Sequence, residues 1–282
     1  MCLIAFALDA DPDCPLLIAA NRDEYLERPT APLHRWQLED GTDVVGGRDL
    51  RDGGTWLGMS PQGRVAMLTN VRQAVLSPGA RSRGELVTRW LQGDGDADRF
   101  AAGVDAEAYA GFNLVVGDFH ARRWHWLGNR HPAQPHEDHP PALHHRTLGA
   151  GVFGLSNASL DTPWPKTQRL KRAVLDALAA RRHDAAGRWI DPLAQALFDD
   201  QPAPDVDMPR TGVPDDAERA LSSAFVRMPG RAYGTRSSLV VSTRPAGRAW
   251  QVNLAEWTHD HRAGSAPTVP GEPHHQVELR WS

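Results

Sequence analysis

The 282-residue chain carries a formal net charge of −4, with 41% hydrophobic and 23% charged residues, an ordinary globular balance. That charge offers nothing to nucleic acid or to an anionic membrane. Two cysteines, Cys2 and Cys14, exclude a disulfide scaffold and a four-cysteine zinc site.

No run approaches ~18 uninterrupted apolar residues, so no membrane span is expected. Met1 to Leu8 is apolar, but Asp9 and Asp11 end the run early and no basic segment precedes it. It reads as a buried strand and not as an export signal. The expected compartment is the cytoplasm, where both thiols stay reduced. Only Lys166 and Lys171 are lysines; with abundant Ala, Asp and Pro, this looks like the codon bias of a GC-rich bacterial genome.

Taken in chain order, Cys2 to Leu8 and Leu16 to Ala20 are predicted strands of a hairpin around Asp9-Ala10-Asp11-Pro12-Asp13. Asp43 to Gly47, Trp56 to Ser60 and Arg64 to Asn70 are three more strands, the last two joined by a Pro61-Gln62-Gly63 turn. Ser82 to Trp90 is a predicted helix, with Ser82 as cap and Glu85 completing a capping box. Phe112 to Gly117 and Arg122 to Leu127 form a strand pair. Asn129 to Leu148, rich in Pro and His, is expected as a long loop or edge excursion, and Val152 to Ser156 as a short strand.

Lys166 to Arg182 is the clearest helix, because Leu170, Ala173, Val174, Ala177 and Leu178 make one apolar stripe. Ile190 to Phe198 is a shorter helix, and Gln201 to Arg219 a surface loop. Strands at Ser237 to Ser242, Trp250 to Glu256 and Val277 to Trp281 close the chain. Strands, then helices, then strands, without βαβ alternation, favour antiparallel sheets with helices packed outside. No linker is evident, so residues 1–282 are expected to form one domain.

Chemistry starts at Cys2. Removal of Met1 would put a free α-amine and a thiol on one residue; such an amine has a pKa near ~8 and can take the thiol proton. An apolar strand would hold that residue rigidly. Asn21-Arg22-Asp23-Glu24 follows the second strand. Arg22 suits a thiolate or a substrate carboxylate, and Asp23 or Glu24 suits the terminal amine; an exposed salt-bridged turn fits the same residues. Asn70 and Asn157 each end an apolar strand and offer amide donors for an oxyanion, or turn formation. Arg236, in Tyr233-Gly234-Thr235-Arg236-Ser237-Ser238, fits a site or a structural turn equally.

With Met1-Cys2, the Asn21 to Glu24 segment resembles the signature of the NRDE family, also called transport and Golgi organisation protein 2. Four further blocks resemble that family in order: Gly46 to Asp49 with Gly53 to Gly58, Leu68 to Arg72, Gly154 to Asn157 with Pro163 to Lys166, and Tyr233 to Ser237. The resemblance implies an N-terminal-nucleophile (Ntn) hydrolase-like α+β fold, a four-layer αββα sandwich of two antiparallel sheets flanked by helices. More distantly the pattern is similar to cysteine amidases acting on penicillin V and conjugated bile acids. That similarity implies Cys2 as nucleophile, Asn70 and Asn157 as the paired amides and Arg236 as a late Arg. Arg22 and Asp23 are adjacent here, where the amidases space Arg and Asp by three; Asn21 and Glu24 carry that spacing instead.

The implied activity is hydrolysis of a small linear amide or acyl conjugate, without cofactor. The alternative is a non-enzymatic carrier of haem or an acyl lipid. Cys14-Pro15, the histidines His131, His136, His139, His144 and His145, and a cleft lined by Trp124 and Trp126 would suit haem. No His-Glu-x-x-His zinc motif occurs, and Gly46-Gly47 and Gly53-Gly54 lack the Lys and helix of a phosphate loop. The expected partner is a small molecule, not nucleic acid.

Overall fold

A computed structural model describes residues 2–74, 79–137, 139–181, 188–261 and 270–282. The first sheet contains β1 (Cys2–Leu8), β2 (Leu16–Tyr25), β10 (Gly151–Leu155), β12 (Tyr233–Ala246), β13 (Ala249–Thr258) and β14 (His275–Trp281), in the order β10-β1-β2-β12-β13-β14; β11 (Arg227–Met228) pairs with the start of β12. The second holds β3 (Thr30–Gln37), β4 (Asp43–Asp49), β5 (Leu57–Met59), β6 (Arg64–Asn70), β7 (Phe112–Asp118), β8 (Arg123–Gly128) and β9 (His144–Leu148), in sequence order. Neighbouring strands run antiparallel in both sheets.

Side-chain alternation assigns the layers. Ile4, Phe6 and Leu8 of β1 with Ile18 and Ala20 of β2 meet Val65, Met67 and Val115 of the other sheet. The intervening Leu3, Ala5, Ala7, Leu17 and Ala19 face α3 (Pro165–Arg181) and α4 (Asp191–Leu197). On the far side, Ala66, Leu68, Leu114 and Val116 lie under α1 (Gly84–Gln92) and α2 (Ala97–Ala102). The result is a four-layer αββα sandwich. β1 is buried along its whole length because both its faces are covered, and so it reads as a continuous apolar run.

Some elements differ from the sequence expectation. β2 continues five residues beyond Ala20, because the polar run from Asn21 is paired by β1 on one side and β12 on the other. β3 was not expected: it is a half-exposed edge strand whose ladder shifts register between Ala31 and His34, around Pro32. Proline is accommodated at such irregular edges. β9 pairs with β8 as an edge strand in the segment expected as a loop or edge excursion, its residues mostly outside the core. α5 (Asp215–Leu221) begins within the expected surface loop, runs past its end and buries Ala217, Glu218 and Leu221.

Ser82 does not cap α1. The N-cap residue is Arg83, without a side-chain cap, and Glu85 pairs instead with Arg81 at 2.7 Å and accepts from the Tyr109 hydroxyl. The Pro61-Gln62-Gly63 turn is as expected, Gly63 taking φ of 84°. The α3 stripe buries Leu170, Val174, Ala177 and Leu178; its expected last residue, Arg182, lies outside the described residues. No described helix is long and apolar enough to cross a membrane.

Candidate functional site

Cys2 opens β1 opposite Arg22 of β2, at the end of the ladder where the space between the sheets widens. A cavity of about 470 Å³ begins there, walled by Cys2, Arg22, Asn70, Trp56 and Arg83 among others. Cys2 is 5% exposed. Burial pushes its thiol up to about 11, so it stays protonated at neutral pH unless a base relieves it. Ser156 Oγ lies 3.2 Å from the Cys2 carbonyl oxygen and donates to it, which fixes the strand end from the side of β10.

The segment from Asn21 to Glu24 is divided by the pleat. Arg22, directly across from Cys2, shares its face; Asn21 and Asp23 point the other way. Asn21 therefore does not reach the cavity. Its Nδ2 donates to the carbonyls of Leu197 at 2.7 Å and Ala224 at 2.9 Å, and its Oδ1 accepts from Ser238 Oγ at 2.6 Å, fastening β2 to the helical layer. Asp23 Oδ1 accepts from Thr235 Oγ1 at 2.7 Å; the carboxyl is 1% exposed and burial raises its pKa. Asp23 and Glu24 both touch the cavity, Glu24 with Oε1 accepting from the Tyr25 amide at 2.9 Å.

Asn70 ends β6 on the opposite wall, half-buried. Its side-chain amide makes no hydrogen bond among the described residues. Asn157 is fully buried, and its Nδ2 donates to the Asn70 carbonyl at 2.9 Å. It thus braces Asn70 and is not itself in the cavity wall. Arg236 is placed elsewhere. Its Nη1 donates to the carbonyls of Tyr25 at 2.9 Å and Arg28 at 3.1 Å, and it lines a smaller cavity of about 210 Å³ with Ser237 and Glu256. Arg22 and Trp56 line both cavities.

Sequence reasoning missed a charged cluster on the helical side of the first sheet. Arg72 Nη1 meets Glu218 Oε2 at 2.7 Å, both groups nearly inaccessible. Glu218 Oε1 accepts from the Thr211 amide and hydroxyl at 2.5 Å each. Lys166, at the start of α3, is 1% exposed and donates to the Leu221 carbonyl at 2.7 Å; burial draws its pKa down to about 8, against a partial upward pull from Asp23. Tyr233 donates its hydroxyl to the Asp23 carbonyl at 2.9 Å. Arg72, Lys166 and Tyr233 stood inside the sequence blocks noted above; Glu218 lay in a segment read as loop, with no local signal.

Residues 1–260 match the family described as Transport and Golgi organisation 2. A Transport and Golgi organization protein 2 homolog of Bos taurus is 32% identical, covering 99% of this chain and 100% of that protein. The chain belongs to the Transport and Golgi organisation 2 family. The Homo sapiens homolog is 33% identical over 86% of this chain and 88% of its own length, and the Drosophila melanogaster protein of the family 27% identical over 86% and 87%.

Solved structures overlap more loosely. A Caenorhabditis elegans N-acylethanolamine-hydrolyzing acid amidase ortholog has a TM-score of 0.42 at 13% identity, over 78% of this chain and 97% of that one. A mutant conjugated bile acid hydrolase from Clostridium perfringens has a TM-score of 0.43 at 10% identity, over 100% and 97%. Overlap that loose says nothing about the chemistry of this family member.

Some of the features that would suit haem share a pocket and others do not. Cys14 is fully buried, its Sγ 3.6 Å from the Leu16 carbonyl. Trp124 and Trp126 belong to the core between the sheets, where Trp126 donates to Asn113 Oδ1 at 3.1 Å; Trp126, but not Trp124, also lines a pocket of about 700 Å³ with His144 and His145. His136 binds the Arg72 carbonyl at 2.7 Å and stacks on Trp164, while His145 pairs with His125 at 2.9 Å. His131 stacks against His139 and lies edge-on to His144. Among the described residues no group of three or more His, Cys, Asp or Glu is arranged to hold a metal ion.

Proposed function

We propose that Cys2, exposed as the first residue by removal of Met1, is the nucleophile of an amidohydrolase cleaving a small linear amide or acyl conjugate. One observation carries this reading: the thiol shares a cavity of about 470 Å³ with an unbonded Asn70 amide and with Arg22, its direct ladder partner.

A thiol held near 11 needs a base, and a freed α-amine with a pKa of ~8 is on the same residue. The amine takes the thiol proton, and sulfur attacks the substrate carbonyl. Asn70 Nδ2 donates to the developing oxyanion, and Arg22 stabilises the thiolate. The C–N bond then breaks, with the departing nitrogen taking the proton from the Cys2 ammonium. Water attacks the thioester, releasing the carboxylic acid and returning the proton to sulfur.

Intact mass shows whether Met1 is absent. A panel of acyl-amides is then assayed with the wild type and Cys2→Ala. Turnover by the wild type and none by the variant supports the reading. A retained Met1, or turnover surviving Cys2→Ala, overturns it.

A further inference from the structure

The walls of the Cys2 cavity carry more guanidinium charge than their own carboxylates neutralise. Arg28 takes up Asp49 at 2.6 Å and Asp52 at 2.7 Å, and Arg81 takes up Glu85 at 2.7 Å. Four other arginines on the cavity have no carboxylate at hydrogen-bonding distance among the described residues; of these Arg51 is exposed and reaches only Asp52, at 4.0 Å. The nearest carboxylate oxygens to Arg22 belong to Glu24 at 3.8 Å and Asp49 at 3.9 Å, beyond the range of a hydrogen bond. Arg48 lies over the Trp36 ring and donates to the Gly53 carbonyl at 3.3 Å. Arg83 donates from Nη1 to the Gly111 carbonyl at 3.2 Å.

Arg22 and Arg83 matter most, because Arg22 is 6% exposed and Arg83 half-buried, and an arginine does not shed its charge. Arg22 has two carboxylates near it but none in contact, Arg83 has none within 4 Å among the described residues, and holding a guanidinium out of water without a counter-charge in contact is costly. Bracing one carbonyl does not require a cation, since a neutral amide would do the same. A guanidinium fork facing open volume is suited to two parallel hydrogen bonds from a carboxylate or a phosphate.

We propose that the compound bound in this cavity carries an anionic group, a carboxylate or a phosphate, held by Arg83 and Arg22 beside the Cys2 thiol. This deepens the amidohydrolase reading and rests on it for the identity of the reacting bond: the substrate is an anionic acyl conjugate, charged on the acyl chain or on the departing amine. Neutral acyl-amides of the same size are poor substrates.

The test uses two alkylating reagents of nearly equal size, one charged and one neutral. Full-length protein carrying Cys14→Ala, with wild-type and Arg83→Gln forms at the second position, is treated with iodoacetate and iodoacetamide, and modification of Cys2 is timed by mass. In each reaction the thiolate sulfur bonds to the CH2 carbon and iodide leaves. An ordinary thiol reacts faster with the neutral reagent. Here iodoacetate is the faster, inorganic phosphate slows it, and Arg83→Gln lowers the iodoacetate to iodoacetamide rate ratio at least tenfold, while Arg83→Lys restores most of it. A ratio unchanged by Arg83→Gln overturns the proposal.

If neither reagent modifies Cys2, the nucleophile reading falls, and anion binding is decided by calorimetry. Inorganic phosphate and butyrate are titrated separately into wild type and Arg83→Gln, and their relative affinities say which anion the cavity takes. Binding by wild type, weakened at least tenfold in the variant, supports the anion seat. Absent or equal binding overturns it.

Discussion

Asn157 donates from Nδ2 to the backbone carbonyl of Asn70 at 2.9 Å, joining the residue just past β10 on one sheet to the last residue of β6 on the other. The link is reinforced by the Arg72 amide donating to the Asn157 carbonyl at 2.8 Å and by Thr69 Oγ1 donating to the Ser156 carbonyl at 2.5 Å. The two sheets are therefore pinned where the cavity opens, and the position of the Asn70 side chain depends on a residue that does not line the cavity.

Two asparagines so different in environment respond differently to truncation. Asn157→Ala empties a fully buried position, leaves the half-buried Asn70 carbonyl without this donor and costs ~1–3 kcal/mol of stability, read from urea unfolding. Asn70→Ala removes an amide with no partner among the described residues, so its unfolding midpoint stays close to wild type. If the amidohydrolase reading holds, the same variant lowers kcat by ~10²–10³, the usual loss for one oxyanion donor. A large stability loss from Asn70→Ala, or unchanged kcat in an active enzyme, contradicts the division of labour.

The Arg72–Glu218 pair is buried at both ends, which makes removal of one partner worse than removal of both. Glu218→Ala strands a guanidinium and costs ~3–5 kcal/mol. Arg72→Met combined with Glu218→Leu recovers most of that loss. A denaturant series over the two single variants and the double variant measures it; additive losses would show that the charges are not coupled.

The sheets were legible in the sequence because apolar runs such as Cys2 to Leu8 and Arg64 to Asn70 mark strands without reference to anything distant. Legibility failed where pairing is made by polar or edge residues. The extension of β2 past Ala20 depends on ladder partners more than two hundred residues away, and β3 and β9 are edges that bury only Leu33 and Trp36 in the first and Leu148 in the second. The site shows the same division. Cys2 and Asn70 were found because each sits at a strand end in a recognisable block, and Arg22 because it lies in such a block just past the apolar run of β2. Asn21 was misread because the pleat, and not the spacing, decides that it faces α4, and Arg236 because its guanidinium is taken up by the Tyr25 and Arg28 carbonyls, more than two hundred residues away. Glu218 was invisible, since nothing near it in sequence shows that its partner is Arg72.

Glycine at position 54 is required by a close approach of backbone to backbone. A Cβ there would stand 2.6 Å from the Gly84 carbonyl carbon and 2.7 Å from its oxygen, and neither can rotate away. Gly54→Ala must therefore push the first turn of α1 outward, and Arg83, the residue just before that turn, moves with it. The expected cost is ~1–3 kcal/mol, as for other overpacked sites. Alanine at Gly53 has open space around it but a φ of 79°, and is expected to cost ~1 kcal/mol through backbone strain alone. Thermal unfolding of the two variants separates clash from strain; equal losses would show that the Gly54 contact relaxes without cost.

Lys166 gives the fold a distinctive pH dependence. Burial lowers its pKa to about 8, against ~10.4 for an unfolded lysine. Below pH 8 the amine is protonated in both states, and the full burial cost is present. Between pH 8 and the ordinary lysine value the unfolded chain still binds the proton while the folded chain has released it, so stability rises with pH. Cys2 works in the opposite sense: its thiol titrates near 11 in the fold against an ordinary value of 9.0, so stability falls above pH 9. The lysine effect is therefore best read from pH 7.5 to 9, where it amounts to a rise of about 1 kcal/mol. Lys166→Met should flatten that slope. If wild type and variant run parallel across this window in urea titrations, the lysine keeps its proton in the fold and the neighbouring Asp23 outweighs burial.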